Sequence, residues 1–500
     1  MKKFLAPMFI GATLATAAIA ADDSLRAEIE ALKAQMAELK EAQSKVNYDA
    51  LKKQISEVKA HSAGDNIKWT VDFRTAYDYV DYKVNGSEDV SNSVWTNKLI
   101  LGMAAQPVDN LVFKGALGFY KTFGQSNIGT NSMFQDFDWY NNQKPQSDNN
   151  IRLREAYFLY FGEMGELPYT VSFGRRPSTD GFMTNLREDN DHPASPVGHN
   201  INMEFDGASF MFDFDKLTGV SGLYFKLCIG RGFSDLKGAY SMGATGFNPA
   251  YMKDDKNPNM DLVGLLARLY DDGQYKVMAN YFIAKNMLGM NMSPNLIGYD
   301  INNNPVYGST PNINFTDVGD MDGWSLSIQV NGIGDEINDY LDDTIFFASY
   351  AGMKTKPNGK AGGAPDGSGG IVQAPGMLGS IDNETGYSYY VGLNLPGFME
   401  ADRIGLEYNH GSKYWRSFTY GEDTLVGSKL ATRGDAYEVY YNLPLVSKNL
   451  TAQIRYTYID YDYTGSDTFF GWTGTPNDVE TTPGAVKTAS NIRASLRYRY

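Results

Sequence analysis

The connections between predicted strands constrain the fold of this chain most strongly. Alternation of apolar and polar residues predicts strands at about 67–80, 93–106, 110–121, 151–162, 169–176, 204–214, 222–231, 261–270, 274–285, 321–331, 341–351, 386–394, 402–410, 434–443, 449–461 and 490–500. Long connections fall at 121–151, 175–204, 231–261, 285–321, 351–386, 410–434 and 461–490, with short ones such as 106–110, 271–273 and 443–447 between them. This pattern predicts an all-β, transmembrane, antiparallel β-barrel of about 16 strands over residues 66–500.

The faces of the predicted strands agree with a barrel. In the first strand Trp69, Val71 and Phe73 share one face, while Thr70 and Asp72 share the other. Beyond the N-terminal region no run of 18 apolar residues occurs, so the sequence predicts no transmembrane helix. A barrel explains this, because its apolar residues are spread singly along alternating strands.

The final strand, residues 490–500, has one apolar and one basic face. Tyr498 and Tyr500 close the apolar face. Such an ending is similar to the targeting signal of bacterial outer-membrane barrels, so Tyr498 and Tyr500 are predicted targeting residues. The resemblance implies two partners, outer-membrane lipid and the barrel assembly machinery.

The N-terminus has the pattern of a secretory signal. Lys2 and Lys3 precede an apolar stretch at 4–19, and Ala18 and Ala20 fit a small-x-small cleavage site. We therefore predict a signal peptide over residues 1–20. Cys228 is the single cysteine of the chain, which excludes an intrachain disulfide.

Residues 22–60 follow a different, helical pattern. Leu25, Ile29, Leu32, Met36 and Leu39 recur at 4-3-4-3 spacing among good helix formers. The narrow apolar stripe predicts a periplasmic α-helical coiled coil that assembles the protein as a homotrimer. A single amphipathic helix docked on the barrel is the alternative.

Charge and motif content narrow the function. The formal net charge of −15 disfavours nucleic acid as a partner. The four histidines lack metal-ligand spacing, and no catalytic motif has the context it needs, so we predict no metal site, no cofactor and no enzyme activity.

Four segments carry a family resemblance: PYTVSFGRRPSTDGFMTNLRE (168–188), GLEYNHGSKYWRSFTYGED (405–423), KLATRGDAYEVYYNLPL (429–445) and YIDYDYTGSD (458–467). They resemble an uncharacterised, domain-of-unknown-function family of Gram-negative porin-like outer-membrane proteins, whose members are similar to this chain over nearly its whole length, including the signal peptide and coiled coil. The resemblance implies a barrel and names no substrate. The overall architecture is more distantly similar to sixteen-stranded trimeric porins, some of which are phosphate-selective. This chain shows no phosphate-binding arginine motif, so the resemblance does not imply phosphate specificity.

The connection at 175–204 is the candidate constriction. In sixteen-stranded porins the loop at this place folds inward, and here it carries charges of both signs, which would create a transverse field across a pore. The candidate constriction residues are Arg175, Arg176, Asp180, Arg187, Glu188, Asp189, Asp191 and His192. A surface loop with solvated charges is the alternative.

Alternate residues of a strand face opposite sides of the sheet, and the positions opposite the apolar face predict a basic pore wall. Its residues are Arg74, Lys98, Lys114, Lys226, Arg268, Arg403, Arg455, Arg493, Arg497 and Arg499. These cations would either attract anions or pair with other polar residues of a wet lumen.

Together these features predict an outer-membrane channel for passive diffusion of small hydrophilic solutes, with a mild anion preference. Three alternatives remain open: a non-conducting structural or adhesive barrel, a sleeve for a partner protein such as an electron-transfer cytochrome, and a barrel enzyme.

Overall fold

The computed structural model describes residues 67–500, apart from 124–144, 146–149, 178–179, 191, 196, 203, 235–241, 244–245, 248–258, 294–295, 308–311, 335–336, 366–370, 400, 420 and 467–473. The predicted signal peptide at 1–20 and the predicted coiled coil at 22–60 lie outside the described residues.

Sixteen antiparallel strands form one closed barrel, as the sequence predicts. They are β1 Lys68–Val84, β2 Val90–Val108, β3 Leu111–Thr122, β4 Arg152–Met164, β5 Leu167–Arg176, β6 Phe205–Asp213, β7 Tyr224–Phe233, β8 Met260–Asp271, β9 Tyr275–Lys285, β10 Gly319–Asn331, β11 Ile345–Pro357, β12 Thr385–Pro396, β13 Arg403–Gly411, β14 Gly434–Val446, β15 Leu450–Tyr461 and β16 Val486–Arg499. Each strand pairs with its neighbours in the sequence, and β1 pairs with β16.

The C-terminal residue completes the closure. The backbone N–H of Tyr500 donates to the carbonyl of Val71, and the N–H of Val71 donates back, both at 2.8 Å. Closure leaves no sheet edge unpaired, which a hydrocarbon environment requires. The same register places Asp78 opposite Arg493 on the lumen face.

The two rims differ as the connection lengths predict. Short turns at one rim, here called the short-turn rim, include helices α1 (Asp215–Thr218) and α2 (Asp339–Asp342). The long connections lie at the opposite, long-loop rim. They hold 3₁₀ turns at Gly376–Leu378 and Lys429–Ala431, and short strands at Met242–Gly243, Gly246–Phe247, Leu288–Ser293, Leu296–Tyr299, Pro305–Tyr307, Asn312–Asp317, Gly362–Pro365 and Ile371–Ala374.

The outer face of the barrel is apolar and exposed. Ile454 is 61% exposed, while the next residue, Arg455, points into the lumen and is 1% exposed. Trp69, Trp95 and Tyr270 are exposed near strand ends, where aromatic girdles of membrane barrels lie. Among the described residues, no helix is long and apolar enough to cross a membrane.

The long connections do not simply extend into solvent. Leu288 and Met290, from a short strand at the long-loop rim, pack in one buried cluster with Phe282 and Met353 of the barrel wall and with Phe418. This cluster occupies the lumen beside β8–β11, so part of the barrel mouth is filled by its own loops.

Candidate pore constriction

The first inward segment, residues 177–204, leaves β5 and crosses the lumen. At its tip the carbonyl of Arg187 accepts a hydrogen bond from Gln453 Nε2 at 2.7 Å, and the carbonyl of Glu188 accepts one from Arg497 Nη1 at 2.9 Å. The tip turns at Asp189, whose φ of 52° is a left-handed conformation that Asp tolerates. This segment therefore spans from β5 to the opposite wall at β15 and β16.

A second inward segment, residues 412–433, also folds into the lumen, although the sequence predicts only a long connection there. The N–H of Phe418 donates to Asn200 O at 2.9 Å, and the N–H of Asn202 donates back to Phe418 O at 2.6 Å. The N–H of Gly421 adds a third bond, to Asn202 O at 3.0 Å. These backbone bonds join the two inward segments inside the barrel.

Asp423, in the second inward segment, contacts three cations of the wall. Its carboxylate lies 2.8 Å from Arg74 Nη1, 2.7 Å from Lys98 Nζ and 3.1 Å from Arg493 Nη1. Burial by itself would raise the pKa of Asp423, but the three cations outweigh it and hold the pKa well below its usual range. Asp423 is therefore ionised at neutral pH.

Glu188, at the tip of the first inward segment, has a similar environment. Its Oε1 lies 3.0 Å from Arg187 Nε and 3.3 Å from Arg455 Nη1. Arg187 also contacts Glu422 of the second inward segment. Burial opposes ionisation of Glu188, yet Arg187 and Arg455 keep its pKa well below the ordinary value.

Lys429 connects the second inward segment to the wall through Glu407 and Glu438. With these contacts the ion pairs form what we call the lumen charge network. Its cations are Arg74, Lys98, Arg187, Lys429, Arg455, Arg493, Arg497 and Arg499, and its carboxylates are Asp72, Asp78, Glu188, Asp189, Glu407, Glu422, Asp423 and Glu438. Eight cations thus face eight carboxylates, and the network carries no net charge.

Of the two alternatives for the predicted basic wall, pairing holds for its arginines on β15 and β16. Arg455 and Arg493 point into the lumen as predicted, but they are 1% and 0% exposed and ion-paired. Arg497 pairs with Asp72 at 2.5 Å, and Arg499 donates to Asp189 O at 2.7 Å. A mobile anion would meet little of their charge.

Two further predicted wall residues lie at the short-turn rim. Arg268 pairs with Asp271 at 3.2 Å, and Arg403 donates to Asn394 Oδ1 at 2.5 Å. Both side chains are therefore held by neighbouring polar groups.

The remaining predicted residues occupy different places. Arg175 bonds to the exposed Asp206 at 2.7 Å, away from the constriction. Asp180 is half-buried in the first inward segment, where desolvation and Glu188 raise its pKa. Lys114, Arg176 and Lys226 lie on lumen-facing positions of β3, β5 and β7. Asp191 lies outside the described residues.

Exposure of the lumen face is unequal around the barrel. On β12 every lumen-facing residue from Gly386 to Asn394 is buried. Partial exposure is most continuous on β2 and β7, and it recurs on β3–β6 between them, although single lumen-facing residues elsewhere, such as Gln453 and Arg497, also keep it. The partly exposed residues on β2–β7 include Lys98, Ile100, Ala104, Lys114, Glu155, Arg176 and Lys226. The inward segments therefore close one side of the lumen more tightly than the other.

An apolar cluster helps to fill the side of the lumen that the inward segments close more tightly. Phe182, Met183 and Val197 of the first inward segment pack with Phe347 and Tyr390 of the wall. Beside them His199 contacts two hydroxyls through its ring nitrogens, and burial lowers its pKa to about 3, so the ring is neutral.

A water-accessible cavity of about 580 Å³ reaches the first inward segment from the short-turn rim. Phe182, Asp189 and His192 form its inner end, and Lys276 and Arg403 belong to its sides. The predicted constriction residues Asp189 and His192 thus border an aqueous vestibule. Among the described residues, no three His, Cys, Asp or Glu side chains are placed to hold a metal ion.

A family model for proteins of unknown function (DUF3373) matches residues 88–500. The chain belongs to this family. None of the curated proteins with which the sequence was compared matches it.

Solved barrels are also similar to this DUF3373 protein. OmpT of Vibrio cholerae in its trimer form shares 13% identity at a TM-score of 0.41, covering 88% of this chain and 100% of OmpT. Pseudomonas putida OprB at high pH shares 13% sequence identity at a TM-score of 0.44, covering 87% of this chain and 94% of OprB. An anion-selective porin from Comamonas acidovorans shares 12% sequence identity at a TM-score of 0.43, covering 87% of this chain and 99% of the porin. Likeness of this degree assigns no solute or assembly to the chain.

Sequence reasoning missed Glu422, Asp423 and Lys429. They stand in a stretch, YGEDTLVGSKLA, whose charges have the pattern of a solvated loop. The partners of Asp423 on β1 and β2 are 349 and 325 residues away, and its partner on β16 is 70 residues away, so no local signal identifies Asp423. Lys429 pairs with Glu407 and Glu438, which are 22 and 9 residues away, but only the inward course of the segment brings them together.

Proposed function

We propose that this protein is an outer-membrane channel of porin type that passes small hydrophilic solutes through a narrow path along β2–β5 and β7. The observation that carries the proposal is the unequal exposure of the lumen face: this side keeps partial exposure, whereas the lumen face of β12 is buried. The apolar outer face and closed barrel support insertion in a bilayer.

We further propose a mild anion preference, carried by Lys114 and Lys226 of the predicted wall together with Arg176, and not by the paired arginines of β15 and β16. The lumen charge network is neutral, so it contributes little net field. Lys114, Arg176 and Lys226 lie on the more exposed side, where Glu155 is a carboxylate of opposite charge. A confined, low-dielectric pore with excess cations raises the local anion concentration.

The remaining parts of the proposal concern delivery and assembly. Residues 1–20 would direct export, Tyr498 and Tyr500 would be read by the barrel assembly machinery, and 22–60 would form a periplasmic coiled coil that supports a homotrimer.

Single-channel recording in a planar bilayer tests the proposal. We expect a small, ohmic conductance with a reversal potential weakly shifted toward anions. Neutralising Lys114 and Lys226 together should move the reversal potential toward cations, and high salt should reduce that shift. Arg231→Gln is the control, because this arginine pairs with Asp261 on the exposed outer face. A strongly cation-selective current would contradict the anion preference.

A non-conducting structural barrel is the second candidate, favoured by the burial of Arg455, Arg493 and the β12 lumen face. A silent bilayer at high protein density would support it. A sleeve that encloses a partner protein fits this structure less well than a channel does, because the two inward segments occupy space that the partner would need.

A further inference from the structure

Two of the lumen-facing cations outside the lumen charge network lie close to Cys228. Arg176, at the end of β5, has its Nη1 3.9 Å from the Cys228 sulfur, and Lys226 lies two residues before Cys228 on β7. Within the described part of the chain, neither cation forms an ion pair with a carboxylate. This contrasts with Arg455 and Arg493, which are neutralised by several acids each.

These two cations line a cavity of about 100 Å³ between the first inward segment and the wall at β5–β9. Two polar atoms at its edge, Arg176 Nε and Ser195 Oγ, are buried without a hydrogen-bond partner among the described residues. Buried polar groups are ordinarily paired, so each such atom calls for a ligand or an ordered water. A cationic donor and a hydroxyl together suit an anionic oxygen.

The rest of the cavity wall is apolar. Its side chains include Ile201, Phe205, Leu262, Leu266 and Phe282. A doubly charged, strongly hydrated anion would lose its hydration against these side chains without compensation. A cavity of about 150 Å³ takes benzene, so by proportion 100 Å³ holds about four heavy atoms. This is enough for the four carbon atoms of butyrate when its two carboxylate oxygens lie at the cationic edge of the cavity.

We propose that this cavity binds a short-chain aliphatic monocarboxylate, with the carboxylate held by Arg176 and Lys226 and the alkyl chain against the apolar wall. The site supplies a solute class for the proposed channel. Binding itself does not require conduction, so a silent barrel with a working site and a conducting barrel without one are separate results.

Cys228 lines the same cavity and is the single cysteine of the chain, which makes it a specific reporter. Full-length protein in detergent is treated with two methanethiosulfonate reagents, one bearing a sulfonate and one a trimethylammonium group, and the adduct is followed by mass spectrometry. We expect faster modification by the anionic reagent. Butyrate at five times its dissociation constant should slow either modification about sixfold, whereas n-butylammonium, similar in size and opposite in charge, should not.

Variants separate charge from structure. Arg176→Gln and Lys226→Gln should each abolish protection by butyrate, while Lys226→Arg, which keeps the charge, should retain it. Arg231→Gln, on the outer face of the same strand, is the matched control and should behave as the unmodified protein. Saturation-transfer NMR to the butyrate methyl group provides a readout that does not depend on thiol reactivity.

Equal protection by butyrate and n-butylammonium would overturn the proposal, since apolar contact alone would then account for binding. Absence of both protection and saturation transfer would overturn it as well. Saturation transfer that persists in both glutamine variants would place butyrate elsewhere and have the same consequence.

Discussion

Asp423 illustrates how much one carboxylate contributes to this lumen. It pairs with Arg74, Lys98 and Arg493 while standing on a segment far from all three in sequence. Removing one partner of a buried ion pair leaves an uncompensated charge, which is costly, whereas an exposed pair contributes little. A small change at Asp423 is therefore expected to have a large effect on stability.

Asp423→Asn should lower the free energy of unfolding by about 3–5 kcal/mol, because three buried cations lose their common counter-ion. Urea unfolding of the barrel in detergent, followed by tryptophan fluorescence, measures this loss. Asp261→Asn is the control: its partner Arg231 is solvent-exposed, so the expected loss is at most about 1 kcal/mol. Equal losses in the two variants would mean that the lumen charges are solvated.

The strands and the inward segments differ in how far the sequence determines them. All sixteen strands overlap their predicted positions, with ends displaced by six residues at most, since the alternation that defines each strand is local. The direction of 412–433 depends on Asp423 meeting Arg74 and on Phe418 meeting Asn202, contacts that no local pattern encodes. The pairing of Asp78 with Arg493, by contrast, could be predicted once β1 and β16 are placed in register.

Replacing residues 417–431 with a short Gly-Ser link should open the closed side of the lumen while leaving β13 and β14 paired. The replacement removes Glu422, Asp423 and Lys429, so we expect a severalfold larger conductance in planar bilayers and a stronger anion preference. The same link in place of 300–304, an exposed hairpin tip where Ile301 is fully exposed, is the control. An unchanged conductance would show that the second inward segment does not limit the path.

At the level of the whole protein, we expect the barrel and the N-terminal region to have separate tasks. The barrel closes on itself through Val71 and Tyr500, so its fold needs no contribution from residues 22–60. The predicted coiled coil, in contrast, has an apolar stripe that only other chains can cover fully. Assembly and insertion should therefore be separable.

Deleting 22–60 should weaken the homotrimer and leave the barrel inserted. Light scattering in mild detergent gives the oligomeric state, and reduced gel mobility after heating reports the intact barrel. Leu32→Ser with Leu39→Ser should reproduce the deletion, whereas Glu38→Gln, off the apolar stripe, should not. A monomeric full-length protein would exclude the trimer.

The backbone bonds between Asn200, Asn202 and Phe418 have a consequence for biogenesis. The first inward segment lies between β5 and β6, but the segment it binds exists only after the β13–β14 hairpin has been made. Until then neither segment can complete its bonds with the other. Contact between the two inward segments is thus a late event. If the proposed insertion into the outer membrane precedes that contact, the barrel would pass through a stage in which its lumen is more open than in the finished protein.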